Sequence, residues 1–422
     1  MNSRDFVFKT LLRLNKSEAY SNLLLNSELN KNNFSDADKS FITACFYGVI
    51  EKRITLDYEL SLYLKQPLKK LRPEVLCVLR LGAYQILFMD KIPDSAAINE
   101  SVKLVKKNKC AFASGLVNAV LRKISSNGLI LPDESEKSFL SVKYSVPDFL
   151  INLWIKDYGI ETAQGILDSL SEKPKTVIRV NTLLIDTSSL AEKLREEGVK
   201  VSFNELINDS LIIEKSGDIT RLNSFKEGLF HVEDTAAQIA ALSLNAKEGE
   251  RVLDCCAAPG GKSFTVAQQM KSGEIISCDL YDNRVNLIKT GAERLKIDFI
   301  KALVSDACVF NPQLGLFDKV LCDVPCSGLG IIKRKPEIRY KSEEEIKNFS
   351  SLQLEILSNS FKYLKQGGKL VYSTCTLNKK ENEEVVSSFI SSREDSKLIN
   401  QKTFFPHTDK TDGFFIAEII KL

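Results

Sequence analysis

Along the first 127 residues apolar positions recur in steps of three and four, and nowhere with period two. The clearest stretch covers 73–89, where Leu76, Leu79, Ala83, Ile86 and Met89 share one helical face. Pro73 suits the first turn of that helix, and the residues from Asp90 to Pro93 stop it. A second helix is expected from Asp94 and Ser95 through Val102 and Val105 into Lys106, Lys107 and Lys109. A third is expected over 114–124, with Ser125, Ser126, Asn127 and Gly128 closing the bundle. Residues 1–127 therefore read as an all-helical domain.

The pattern changes over 128–230. Residues 147–158 form a short amphipathic stretch around Trp154, the only tryptophan. Strands are expected over 176–181 and 211–213, with a helix over 188–197 between them, as in a small α/β subdomain. From 231 to 422 the chain reads as α/β throughout. Apolar strands over 251–255, 274–278, 319–322 and 369–373 alternate with helix-period segments, Gly367 and Gly368 mark the turn into the last of these, and 413–420 adds one more strand. A doubly wound, mostly parallel sheet follows, and such sheets bind ligands beyond the carboxyl ends of their strands.

Composition narrows the field. Apolar residues make up 44% and charged residues 27%, and the net charge is only +3, so a polyanionic partner would meet local basic patches rather than a global field. The charged N-terminus excludes a signal peptide, and no uncharged apolar run of about 18 residues suggests a membrane span. Ten cysteines without a CxxC pair, and only two histidines, argue against a zinc site, so no metal is expected. For about eight of these thiols, burial in a cytoplasmic, reducing setting is the default. A monomer is expected.

Chemistry is expected just after the strands. The first loop, LDCCAAPGGKS, carries Cys256, Ala257, Ala258, Pro259, Gly260, Gly261 and Lys262 and leads into a helix. Gly261-Lys262-Ser263 fits the end of a phosphate-binding loop, but Cys256 stands where its first glycine belongs and Pro259 removes an N–H. Asp279, ending the second strand, is placed to accept hydrogen bonds from a ribose diol, and Asp306 after the third is placed to meet an adenine. Acids after three successive strands would repel a pyrophosphate; they suit a cationic sulfonium nucleoside. Taken singly, each acid is as readily a helix cap.

Two further loops, DVPCSG with Asp323 and Cys326, and STCT with Cys375, hold cysteines one to three residues beyond a strand. C5 of cytosine is a poor nucleophile. A thiolate adding to C6 turns C5 into a carbon nucleophile, an acid near N3 (here Asp323) absorbs the developing charge, and a base must then remove the C5 proton. The two loops offer one set of groups for that sequence. A free thiol is only a few per cent ionised at neutral pH, so the nucleophile needs a locally lowered pKa.

These three stretches, LDCCAAPGGKS, DVPCSGLG and VYSTCTL, resemble the RNA 5-methylcytosine methyltransferases. The whole chain is similar to the Sun/RsmB family of bacterial small-subunit rRNA cytosine-C5 methyltransferases. The resemblance implies that Cys375 is the nucleophile and Cys326 assists product release. It implies that S-adenosylmethionine lies against the loop from Cys256 to Lys262 with Asp279, Asp306 and Asp323, with Arg284 nearby. It also implies that residues 1–127 have the RNA-binding fold of the antitermination factor NusB, that Asn181 in the RVN segment belongs to the RNA-contacting part, and that small-subunit ribosomal RNA is the partner. Glu233 departs from the family, where many members have glutamine before the equivalent of Asp234.

Basic clusters occur at Lys69-Lys70-Leu71-Arg72, over 103–109, and at Lys333-Arg334-Lys335 just after the second cysteine loop. The last sits where substrate phosphates would pass, and the target cytosine must leave any stack to reach Cys375. Two other classes compete: a binding-only regulator with a degenerate methyltransferase, against which the intact Cys375, Cys326 and Asp323 speak, and an NTPase, which would need magnesium-dependent ATP binding.

Overall fold

The computed structural model describes residues 2–14, 21–214 and 216–422. The chain divides into two compact units, one made of Met1–Ala163 with Ile332–Lys341, the other of Gln164–Ile331 with Ser342–Leu422.

The first unit is helical. Helices Ser3–Leu14, Asp36–Glu51, Pro73–Phe88, Asp94–Lys107 and Ser114–Asn127 bury Phe6, Phe46, Val78, Leu81 and Leu121 in one core. Gly82 permits one close packing, since a Cβ there would lie 2.5 Å from Leu121 Cδ1 and 2.7 Å from Ser101 Oγ. The helix Ser114–Asn127 ends on Gly128 at φ +69°, as its sequence implied.

By packing, the helical unit runs past the expected end at 127. Helices Phe139–Tyr144 and Asp148–Tyr158 join it, because Thr55 Oγ1 donates to the Val142 carbonyl and the Ile54 amide donates to Ser145 Oγ at 2.9 Å; Trp154 is fully buried. The segment Ile332–Lys341 is also part of this unit. Its Arg339 is buried and donates to the carbonyls of Glu51, Tyr144 and Ser145 at 2.9, 3.3 and 3.1 Å, while the Arg53 guanidinium sits 3.4 Å over the Tyr340 ring. The basic run Lys333–Lys335 is thus carried on a segment anchored to the helices.

The second unit contains two sheets. Strands β1 (Thr176–Val180), β2 (Lys200–Phe203), β3 (Ser210–Glu214) and β4 (Phe230–Val232) form an antiparallel sheet in the order β2-β3-β1-β4. Ile178, Val180, Leu211, Ile213 and Phe230 pack from it against Leu190 and Leu194 of the helix Thr187–Glu196. Three residues of β4 are too few to show a period, which is why the sequence did not reveal it.

The larger sheet contains β5 (Arg251–Asp254), β6 (Glu274–Asp279), β7 (Ile300–Val304), β8 (Phe317–Asp323), β9 (Leu364–Thr374), β10 (Ser396–Phe404) and β11 (Phe414–Lys421), in the order β10-β11-β9-β8-β5-β6-β7. Strands β5 to β9 are parallel to their neighbours, whereas β11 runs antiparallel between β9 and β10. The expected mostly parallel sheet is therefore present. β10 escaped the sequence reading because it is an edge strand whose residues 399–402 are exposed, so its apolar signal is thin. Gly367 and Gly368 lie inside β9 rather than before it, with Gly367 at φ +75°.

Candidate active site

Strand order reverses between β5 and β8, and the loops leaving these two strands open onto one cavity, the position the doubly wound topology favours. The cavity, about 200 Å³, is lined by Val232, Glu233, Ala237, Asp254, Cys256, Ala257, Ala258, Pro259, Gly261, Lys262 and Asp323. Gly260 at φ +112° turns the chain into the helix Gly261–Met270, and a Cβ on Gly261 would lie 2.9 Å from Glu233 Oε1. Seven of the residues expected at a cofactor therefore share one wall.

The charges on that wall are ordered. Asp254 accepts a hydrogen bond from Ser263 Oγ at 2.6 Å, but its Oδ1 is buried without a partner, and burial pushes its carboxyl up to about 7. Lys262 Nζ pairs with Asp323 Oδ2 at 2.8 Å. Burial alone would lower the Lys262 ammonium, but the facing carboxylates of Asp323 and Glu233 outweigh it and hold the lysine above its ordinary value. Glu233 accepts from Thr265 Oγ1 at 2.6 Å and lies 3.4 Å from His231 Nε2; burial raises its carboxyl, yet His231 and Lys262 bring the net shift below the ordinary range. Three acids against one lysine make a wall suited to a cationic ligand and hostile to a polyphosphate.

The two cysteines meet because β8 and β9 are neighbours in register, with Asp323 opposite Ser373. Ser373 Oγ donates to Asp323 Oδ1 at 2.6 Å, and two residues further on Cys375 Sγ lies 3.2 Å from Cys326 Sγ. The hydrogen bond with Cys375, then burial, pushes the Cys326 thiol far above its usual value. Of the ten cysteines six are buried, and Cys308, half-buried, has its thiol pushed up to about 11 by desolvation and Asp306.

Other expected site residues stand apart from the cavity wall. Asp279 ends β6 as expected but is buried, accepting from the Ala258 amide at 3.2 Å and pairing with Arg284 at 3.3 Å. Arg284 also donates to the Ala258 carbonyl at 3.0 Å, so the pair fastens the loop over 256–262. Asp306 is exposed and accepts from the Cys308 amide at 2.9 Å, the turn-capping role open to any such acid. Asn181 requires a correction. It is fully buried, its amide donating to the Gly228 and Leu295 carbonyls at 2.9 and 2.8 Å, so it cannot touch RNA and instead ties the small sheet to the larger one. The sequence reading also missed Glu381, a buried carboxylate beside both cysteine loops, because an acid among Lys379, Lys380, Glu383 and Glu384 looks like solvated surface.

An acidic cavity at the reversal point of a mostly parallel sheet, with a last strand inserted antiparallel, defines a Rossmann-like methyltransferase domain. Residues 241–420 match the family described as 16S rRNA methyltransferase RsmB/F, 1–126 match the NusB family, and 146–220 match the ferredoxin-like domain of RsmF/B-like methyltransferases. The chain belongs to the ribosomal RNA small subunit methyltransferase B family. It is 36% identical over 444 aligned residues to the probable methyltransferase of that name from Bacillus subtilis strain 168, covering 99% of this chain and 98% of the relative. It is 30% identical to the one from Proteus mirabilis, covering 93% of each. Among solved structures, PH0851 is 26% identical with a TM-score of 0.85, covering 100% of this chain and 99% of that one. A methyltransferase homolog from Pyrococcus horikoshii is 27% identical with a TM-score of 0.62, covering 68% and 100%.

Proposed function

We propose that the protein methylates C5 of a cytosine in small-subunit ribosomal RNA, using S-adenosylmethionine and a transient bond between Cys375 and C6. The observation that carries this reading is the 3.2 Å approach of Cys326 and Cys375 beside Asp323, on the loops of two adjacent strands. One structural thiol at a strand end is commonplace; two in contact next to a paired carboxylate match a reaction that needs both attack and release.

The cavity fits the cofactor. The net negative wall of Glu233, Asp254, Asp323 and Lys262 complements a sulfonium with an ammonium-bearing tail, and the unpartnered Asp254 Oδ1 offers an acceptor. The loop from Cys256 to Lys262 would hold the cofactor, with Asp279 and Arg284 fastening that loop from behind and Asp306 at the neighbouring strand end. When bound, it supplies an electrophilic methyl group. Every other step belongs to this chain's side chains.

Cys375 as thiolate adds to C6 of the cytosine; the C5–C6 double-bond electrons move toward N3, and C5 becomes nucleophilic. Asp323, backed by the Lys262 ammonium and oriented by Ser373, faces the N3 edge; a proton taken up from solvent as the cytosine binds is shared between its carboxyl and N3, and passes to N3 as charge develops there. Once C5 carries the methyl group, Cys326 gives its own proton to solvent and as thiolate takes the C5 proton; the S–C6 bond breaks, Cys375 leaves as thiolate, and N3 returns its proton to Asp323. Lys333, Arg334 and Lys335, on the segment after the Cys326 loop, contact substrate phosphates. Incubation of the protein with methyl-labelled S-adenosylmethionine and unmodified small-subunit rRNA, followed by nucleoside analysis, tests the reading. Label in 5-methylcytosine supports it; label in another nucleoside, or none, contradicts it.

A further inference from the structure

We propose that the buried carboxylate of Glu381 is the positioning residue that fixes the spacing of the two sulfurs, by clamping the Cys326 loop to the turn that follows Cys375. The proposal rests on the assignment of attack and release to these thiols. Strand pairing brings the loops together but does not fix their tips, since Cys326 lies three residues beyond the end of β8.

Glu381 is 1% exposed and receives four uncharged donors. Its Oε2 accepts the Ser327 amide at 2.8 Å and Gln353 Nε2 at 3.0 Å; its Oε1 accepts Ser327 Oγ at 2.5 Å and Asn378 Nδ2 at 2.8 Å. Gln353 Nε2 also donates to the Pro325 carbonyl at 2.9 Å. The backbone is thereby held on both sides of Cys326. The next residue, Asn382, does the same for Cys375: its Oδ1 accepts from Thr374 Oγ1 at 2.5 Å and its Nδ2 donates to the Thr376 carbonyl at 2.9 Å. Ser327 Oγ and Thr376 Oγ1, 2.6 Å apart, close the bridge, and the Gly330 amide donates to the Cys375 carbonyl at 3.0 Å.

A plainer role would be to stabilise the turn before the helix Glu383–Ser391. Only the Asn378 bond lies within that turn; two of the four go to Ser327 on the other cysteine loop and one to Gln353 on the helix Phe349–Phe361. Burying a carboxylate is costly unless its lone pairs are used, and here they are used at the junction of the two loops. A misplacement of about 1 Å between reacting groups is enough to slow catalysis by roughly a hundredfold.

The test uses the full chain and needs no catalysis. Diamide, an azo oxidant, closes Cys326 and Cys375 into a disulfide: the two thiols give up two protons and two electrons, and the azo bond takes up both to become a hydrazine. Starting 3.2 Å apart, the sulfurs need to approach by only about 1.2 Å. The rate, read by mass spectrometry of the cross-linked peptide, is a ruler for their spacing. Glu381→Gln and Ser327→Ala should each slow closure roughly tenfold or more, and lower kcat for methyl transfer with KM for RNA and cofactor affinity within about twofold of wild type. Ser327→Ala decides the matter if Glu381→Gln does not fold. Closure at the wild-type rate in the folded variants overturns the proposal whatever their methyl transfer. Slowed closure in variants of a wild-type protein that transfers no methyl group upholds the spacing role and contradicts the functional reading instead.

Discussion

The Sγ atoms of Cys326 and Cys375 lie 3.2 Å apart, although the residues are 49 positions apart in the sequence. The contact follows from the parallel pairing of β8 with β9. The bond to Cys375 and then burial push the Cys326 thiol far above its usual value.

Thiol reactivity reads this directly. In Cys375→Ala the largest influence raising the Cys326 thiol is removed, so alkylation of Cys326 by iodoacetamide at pH 8 should accelerate about tenfold for each pKa unit released. Peptide mapping of the alkylated protein checks this. An unchanged Cys326 rate would show that the contact does not control its proton.

Asp254 gives a pH dependence with a definite sign. Its folded carboxyl, held near 7 by burial, lies above the unfolded value near 3.9, so the folded state binds the extra proton between these limits. Its contribution is complete below about pH 4 and is lost as pH rises through 7. Asp254→Asn should therefore lose less stability than wild type between pH 5.5 and 7.5, a window above the titration range of Glu233. The expected difference is about 2 kcal/mol. Urea unfolding at the two pH values measures it, and equal slopes would refute the assignment.

Asn181→Ala removes two buried amide-to-carbonyl bonds that tie the small sheet to the larger one. The loss should be about 1–3 kcal/mol of stability, with RNA affinity of the folded protein unchanged. Denaturant melts and filter binding report the two quantities separately. A selective loss of RNA affinity would restore the RNA role that the sequence resemblance implied.

Replacing Lys333, Arg334 and Lys335 together by alanine should weaken RNA binding and flatten its salt dependence. On single-stranded RNA the logarithmic slope should fall by about 0.7 for each phosphate that is no longer neutralised. Cofactor affinity should not move. An identical salt slope in the variant would remove this run from the RNA path.

The larger features were readable in the sequence for identifiable reasons. The helix Pro73–Phe88 showed through a proline at its first position and apolar residues three and four apart, and the core strands of the large sheet showed as apolar runs covered on both faces. The loop over 256–262 showed as a glycine-rich turn between an apolar strand and a helix, and it lines the cavity. What stayed hidden depends on partners distant in sequence. Glu381 looks like one acid in a charged stretch until Ser327 and Gln353 are brought to it. Asn181 looks like a contact residue until Gly228 and Leu295 bury it. The helices after 127 lie outside the residues that match the NusB family, and their packing on the first unit through Thr55 and Arg339 could not be read from the sequence. Periodicity identifies elements, but it does not tell which of their polar residues face each other.

The division of labour between the two cysteines is tested most directly by trapping the RNA. Wild type, Cys326→Ala and Cys375→Ala are each incubated with small-subunit rRNA and S-adenosylmethionine and run on denaturing gels. Cys326→Ala should accumulate a covalent protein–RNA species, because attack survives while release fails, and Cys375→Ala should form none. An adduct in Cys375→Ala and none in Cys326→Ala would contradict the account.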